Sequence, residues 1–130
     1  MKYSFDYENN LIFKCEISDK PYIAFTPEFI DYYYDSDDFS ESIVYLATCH
    51  ASYDDSMANS FLSSGASVYV GWNEYTVFWT NSMSSVVFFS LLEKNFSIRQ
   101  ICRIIGHGSF YNLLLRSKLT YFGNGNYKMR

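Results

Sequence analysis

SIVYLATCHASYDDSMANSFLSSGASVYVGW, residues 42–72, reads as strand, helix, strand. Ile43, Val44, Tyr45, Leu46 and Ala47 form an unbroken apolar run, the pattern of a strand buried on both faces of a parallel sheet. Ala66 to Trp72 repeats it. Between them Met57, Ala58, Phe61 and Leu62 fall on one face of a helix, with Asp54, Asp55 or Ser56 available as its N-cap. The unit has the size of a βαβ crossover. Ligands of open α/β sheets bind beyond the carboxyl ends of the strands, and Cys49 and His50 stand at that end of the first strand.

Outward from this unit, the chain of 130 residues is enough for one domain with a real core. With 48% hydrophobic and 18% charged residues it has the composition of a folded globular protein rather than a disordered one. Its 13 Tyr and 12 Phe supply both core and surface, and rings on the surface suit a peptide or protein partner. Residues 1–55 carry 12 acidic and 3 basic side chains, whereas residues 56–130 carry 2 acidic and 7 basic. The basic residues are spaced out rather than clustered, which argues against a nucleic-acid footprint. No apolar stretch is long enough to cross a membrane, and the first residues have no signal-peptide pattern.

Residues 3–7 and 11–17 read as short strands around the turn Glu8-Asn9-Asn10, and Tyr22–Phe25 as a third. Pro27 opens a helical turn carrying Phe29 and Ile30. The acidic, Tyr-rich segment 31–42 reads as a loop or short helix. After Trp72, a long helix is predicted from Thr80 or Asn81 to Glu93, with Met83, Val86, Val87, Ser90 and Leu91 as its buried stripe. Asn95 closes it. Ser97 and Gln100 match a capping box for the next helix, whose stripe is Ile98, Ile101, Cys102 and Ile105. Gly106-His107-Gly108 breaks that helix. Leu113–Leu115 follows, then a strand pair, Leu119–Phe122 and Tyr127–Met129, around Gly123-Asn124-Gly125-Asn126. This order predicts an α/β fold, a three-layer α/β/α sandwich in which residues 1–41 supply short strands and an acidic loop and residues 42–130 the core.

Cys49 is the leading candidate for chemistry. A thiol between a parallel strand and a helix N-terminus sits where thiolate is favoured. The commoner fate of a free cysteine is an inert buried side chain. Cys15, Cys49 and Cys102 have neither disulfide-framework nor zinc spacing, and Asp35, Asp37, Asp38 and Glu41 lack calcium-loop spacing. With no phosphate loop or GxSxG, no metal or other cofactor is called for.

Taken together, SIVYLATCHAS, SMANSFLSSGASVYVGW, KNFSIRQICRI and LTYFGNGNYKM resemble the caspase–hemoglobinase fold, in particular its gingipain-like and CHAT-type cysteine peptidases. The resemblance runs from about residue 20 to residue 130 and corresponds to the C-terminal part of that domain. It implies that Cys49 is the nucleophile attacking a peptide carbonyl, with backbone amides forming an oxyanion hole. It implies further that Gly71 and Trp72 border the substrate side chain. Phe122-Gly123-Asn124-Gly125 stands where the family carries an Asp and a Pro. The family's catalytic His ends the strand before the Cys, yet residues 1–48 contain no His. His50 adjoins the Cys, and neighbouring side chains diverge. His107 lies in a Gly-His-Gly string that follows the Cys instead of preceding it. The expected function is therefore a cysteine peptidase acting on a peptide or protein, its His supplied by missing sequence or a second chain, an inactive interaction module on the same fold, or an unrelated α/β domain binding a small ligand at its strand ends. A complementing N-terminal chain or a homo-oligomer is the expected assembly.

Overall fold

A computed structural model describes residues 3–129 and is mixed α/β. Its elements are α1 (Ser4–Glu8), β1 (Ile12–Ile17), β2 (Lys20–Phe25), α2 (Pro27–Tyr33), β3 (Ile43–Leu46), α3 (Ser56–Ser63), β4 (Val68–Trp72), α4 (Phe78–Glu93), α5 (Ile98–Ile105), α6 (Phe110–Leu114) and β5 (Leu119–Gly123). β1 and β2 form an antiparallel hairpin; β3, β4 and β5 form a second sheet in that order. β3 runs parallel to β4, pairing Ile43 with Val68, and β5 runs antiparallel to it.

The βαβ unit is present as expected, but its two strands differ. β4 is buried along its whole length because it has a strand on either side. β3 is only half-buried, since β4 is its sole neighbour among the described residues. β4 alternates as a strand must. Val68, Val70 and Trp72 join Phe88 and Leu92 of α4, Ile98, Ile101 and Cys102 of α5 and Leu119 of β5 in one cluster. Tyr69 turns the other way, with Ile30 of α2 and Ala58 and Phe61 of α3. Helices thus cover both faces of the sheet.

Three expectations fail, each for a physical reason. Residues 3–7 are not a strand but lie mostly in α1, because their partner is a helix. The Tyr33 hydroxyl donates to the Asp6 carboxylate at 2.5 Å, and the Phe5 ring meets Tyr32 at 5.5 Å. The hairpin instead joins β1 to β2, through Ser18 and Asp19, both at positive φ, the geometry that matches strand twist. The stripe assigned to α4 is exposed at Met83 (69%), Val86 (68%) and Val87 (42%). Thr80, Ser84, Phe88 and Leu92, spaced i, i+4, face the core instead. α4 is apolar nearly all round, so hydrophobic periodicity gave no direction. Finally, residues 127–129 form no strand. That segment caps α5: the Tyr127 carbonyl accepts from the Ile98 N–H (3.1 Å) and the Gly125 carbonyl from the Arg99 N–H (2.8 Å). The Ser97–Gln100 capping box is present in full.

Candidate functional site at the carboxyl end of β3

β3 ends at Leu46, and residues 47–55 form an irregular loop before α3. Cys49 sits in this loop, half-buried. Two contacts with the β4–α4 connection hold its sulfur. The Thr76 N–H donates to Sγ at 3.4 Å, and the thiol points at the Thr76 carbonyl at 3.5 Å. The start of α3 is occupied otherwise: Asp54 Oδ1 accepts from the Ser56 N–H (3.0 Å) and hydroxyl (2.6 Å), which holds its carboxyl below the usual carboxylate range. The Asp55 N-cap position makes no side-chain cap.

Both imidazoles are engaged elsewhere. His50, at positive φ, brings Nδ1 to 3.7 Å from Glu74 Oε2 and its ring to 4.3 Å from Tyr75. His107 Nδ1 lies 2.5 Å from the Ser117 carbonyl, so this nitrogen carries the hydrogen. The two glycines beside it are turn residues: Gly106 N–H returns to the Cys102 carbonyl, ending α5. Among the described residues neither histidine hydrogen-bonds the Cys49 sulfur.

Gly71 lies under the loop, where an added Cβ would come within 2.7 Å of the Ala51 Cβ. Ser52 fastens the loop there, its hydroxyl donating to the Gly71 carbonyl at 3.0 Å and its N–H to the Trp72 carbonyl at 3.1 Å. The Tyr69 hydroxyl, pushed up to about 12 by burial, donates to the Ala51 carbonyl. Trp72 is 0% exposed and presents no surface to a ligand. Its indole N–H donates to Asn81 Oδ1 at 3.0 Å, and Asn81 Nδ2 donates in turn to the Ala47 carbonyl at 2.7 Å.

One residue that sequence reasoning missed organises the other side of the site. Asn112 of α6 is fully buried. Its Nδ2 donates to Thr76 Oγ1 (2.8 Å), and its Oδ1 accepts from the Val77 N–H (3.1 Å). Asn112 therefore fixes the segment that holds Cys49 and supplies a cap to α4, whose own N-cap residue, Val77, has no side-chain oxygen. Short sequence windows carry no trace of this, because the partners lie 36 and 35 residues away.

Compared with protein-family models, with curated proteins and with solved structures, the chain matches none. Among the described residues no group of three or more His, Cys, Asp or Glu side chains is placed to hold a metal ion, and no helix is long and apolar enough to cross a membrane. What the site offers chemically is a half-buried thiol between two backbone dipoles.

Proposed function

We propose that the chain is a protein-interaction module on a three-layer α/β/α, caspase-like scaffold, and that alone it does not hydrolyse peptide bonds. The observation that carries this reading is the hydrogen bonding of Cys49 to the Thr76 backbone, with His50 and His107 held by Glu74 and Ser117. A thiol without a general base forgoes roughly 10²–10⁴ in rate. The parallel β3–α3–β4 unit, three further helices and an antiparallel last strand support the scaffold.

The partner we infer is a protein that adds a strand beside β3 and an apolar helix over α4. Among the described residues no strand pairs with the outer edge of β3. Ile43–Leu46 carries no charge or proline to guard that edge. Tyr45 links it to α4 through Phe88 and Phe89, and α4 exposes Phe78 (82%), Val86 (68%) and Phe89 (47%). Residues 75–92 contain no Asp, Glu, Lys or Arg, which is the character of an interface core.

Labelling tests the reading. Iodoacetamide should alkylate Cys49, whereas a peptidyl acyloxymethyl ketone should label it no faster than Cys15. Fluorogenic peptides should turn over no faster with the wild type than with Cys49→Ala. Cys49-dependent turnover by the chain alone would overturn it.

A second reading has one observation in its favour: β3 ends at Leu46, just before Cys49, with its outer edge unpaired among the described residues, so a parallel strand added there would end near the thiol. A histidine carried there by a second chain would complete a peptidase. In that case the added chain raises peptidyl labelling of Cys49 above that of Cys15 and Cys102; unchanged labelling excludes it.

A further inference from the structure

Away from the β3 sheet, α1, the hairpin and α2 border an open pocket of about 430 Å³, within the usual range for a small-ligand site. Its walls are Ile12, Ile23 and four rings, those of Tyr3, Phe25, Phe29 and Tyr33, and Asp6 also lines it. Phe29 and Tyr33 stand one turn apart on α2, ring centroids 4.8 Å apart and tilted 50°, and Phe25 meets Phe29 at 5.9 Å. Three of the rings are 43–46% exposed (Tyr3, Phe25, Tyr33), so they border an open cup and not a closed core.

The chemistry of this cup is one-sided. Asp6 is only 8% exposed, and among the described residues its carboxylate receives one hydrogen bond, from the Tyr33 hydroxyl. That bond pushes the Tyr33 phenol up to about 12, and its hydroxyl hydrogen is committed to Asp6. Among the described residues no Lys, Arg or His forms an ion pair with Asp6, although a buried carboxylate ordinarily requires one. Ring faces are electronegative as well. The first 55 residues, from which the cup is built, carry 12 acidic against 3 basic side chains, a balance that favours cations over anions.

Aromatic faces and one carboxylate cannot replace the water shell of a metal ion or of a primary ammonium, each of which needs several oxygen ligands or acceptors. A cation with a skin of methyl groups needs none, and rings around such a cation bind it by cation–π attraction. We propose that this cup binds a methylated ammonium group, carried either by a small quaternary amine or by a methylated lysine side chain of another protein.

The test is an NMR titration of the full chain, reading the methyl groups of Ile12 and Ile23 and the ring of Tyr33. Choline should give saturable shifts at these three residues. Its neutral carbon analogue, 3,3-dimethyl-1-butanol, has the same shape and should bind at least tenfold more weakly. Asp6→Asn, nearly identical in volume, should weaken choline by at least fivefold. A peptide with trimethyllysine that binds tighter than choline, while the unmodified peptide does not, identifies the protein source; choline binding without peptide binding identifies the small amine. Equal binding of choline and the neutral analogue, shifts located elsewhere, or no saturable shift would overturn the proposal. Should Asp6→Asn fail to fold, the comparison of choline with its analogue on the wild type still decides.

Discussion

Asn112 does more for the geometry around Cys49 than either histidine. Its amide is fully buried and bonded at both ends, so truncation strands the Val77 N–H and the Thr76 hydroxyl. Asn112→Ala should cost about 2–3 kcal/mol of stability, read by urea denaturation. It should also speed alkylation of Cys49 in the folded protein, because the Thr76 segment loosens. An unchanged alkylation rate would mean that Thr76 is held by something else. Cys102 is the internal reference for such an experiment. Burial pushes its thiol up to about 12, so below that pH it stays protonated and unreactive until the fold opens. At this scale the sequence was informative about one side of each contact only. Cys49 could be placed after a strand from its local pattern, but Thr76 lies 27 residues away and nothing in Tyr75-Thr76-Val77 marks it as a partner.

Among the elements, legibility tracks how one-sided each pattern is. α5 alternates apolar and charged residues at helical spacing behind a Ser–Gln capping box, and it forms as read. α4 carries no charge before its last residue, Glu93, to mark an outer face, so the pattern does not reveal its core-facing side. That side is built from Thr80 and Ser84, small enough to admit the α5–α6 turn, followed by Phe88 and Leu92. Gly108 makes this approach possible. At φ +71°, a Cβ on it would stand 2.8 Å from Thr80 Cγ2 and 2.9 Å from Ser84 Oγ. Gly106, at φ +55°, has its nearest neighbour at 3.7 Å. Gly106→Ala therefore meets no overlap but places an L residue at φ +55°, ψ −114°, outside the left-handed region, at a cost of about 1–3 kcal/mol, whereas Gly108→Ala adds steric overlap to positive φ and should cost roughly 2–3 kcal/mol. Thermal denaturation should show a clear loss at Gly108. A negligible loss there would mean that α4 shifts to accommodate the new methyl.

For the whole molecule, the βαβ unit at residues 42–72 was enough to indicate a mixed α/β fold. It could not indicate that the sheet would stop at β3, because an apolar run reads alike in a central strand and in an edge strand awaiting a neighbour. The half-buried exposure of β3 beside the complete burial of β4 is the physical trace of that difference. An edge of this kind has a consequence for supply. Under the interaction proposed above, chain made in excess of a partner keeps an unguarded strand in water, a template for aggregation and a target for quality control. Its cellular lifetime should therefore depend on stoichiometry. A pulse-chase at native and raised expression should show faster turnover of the surplus, and co-production of the true partner should restore the longer half-life.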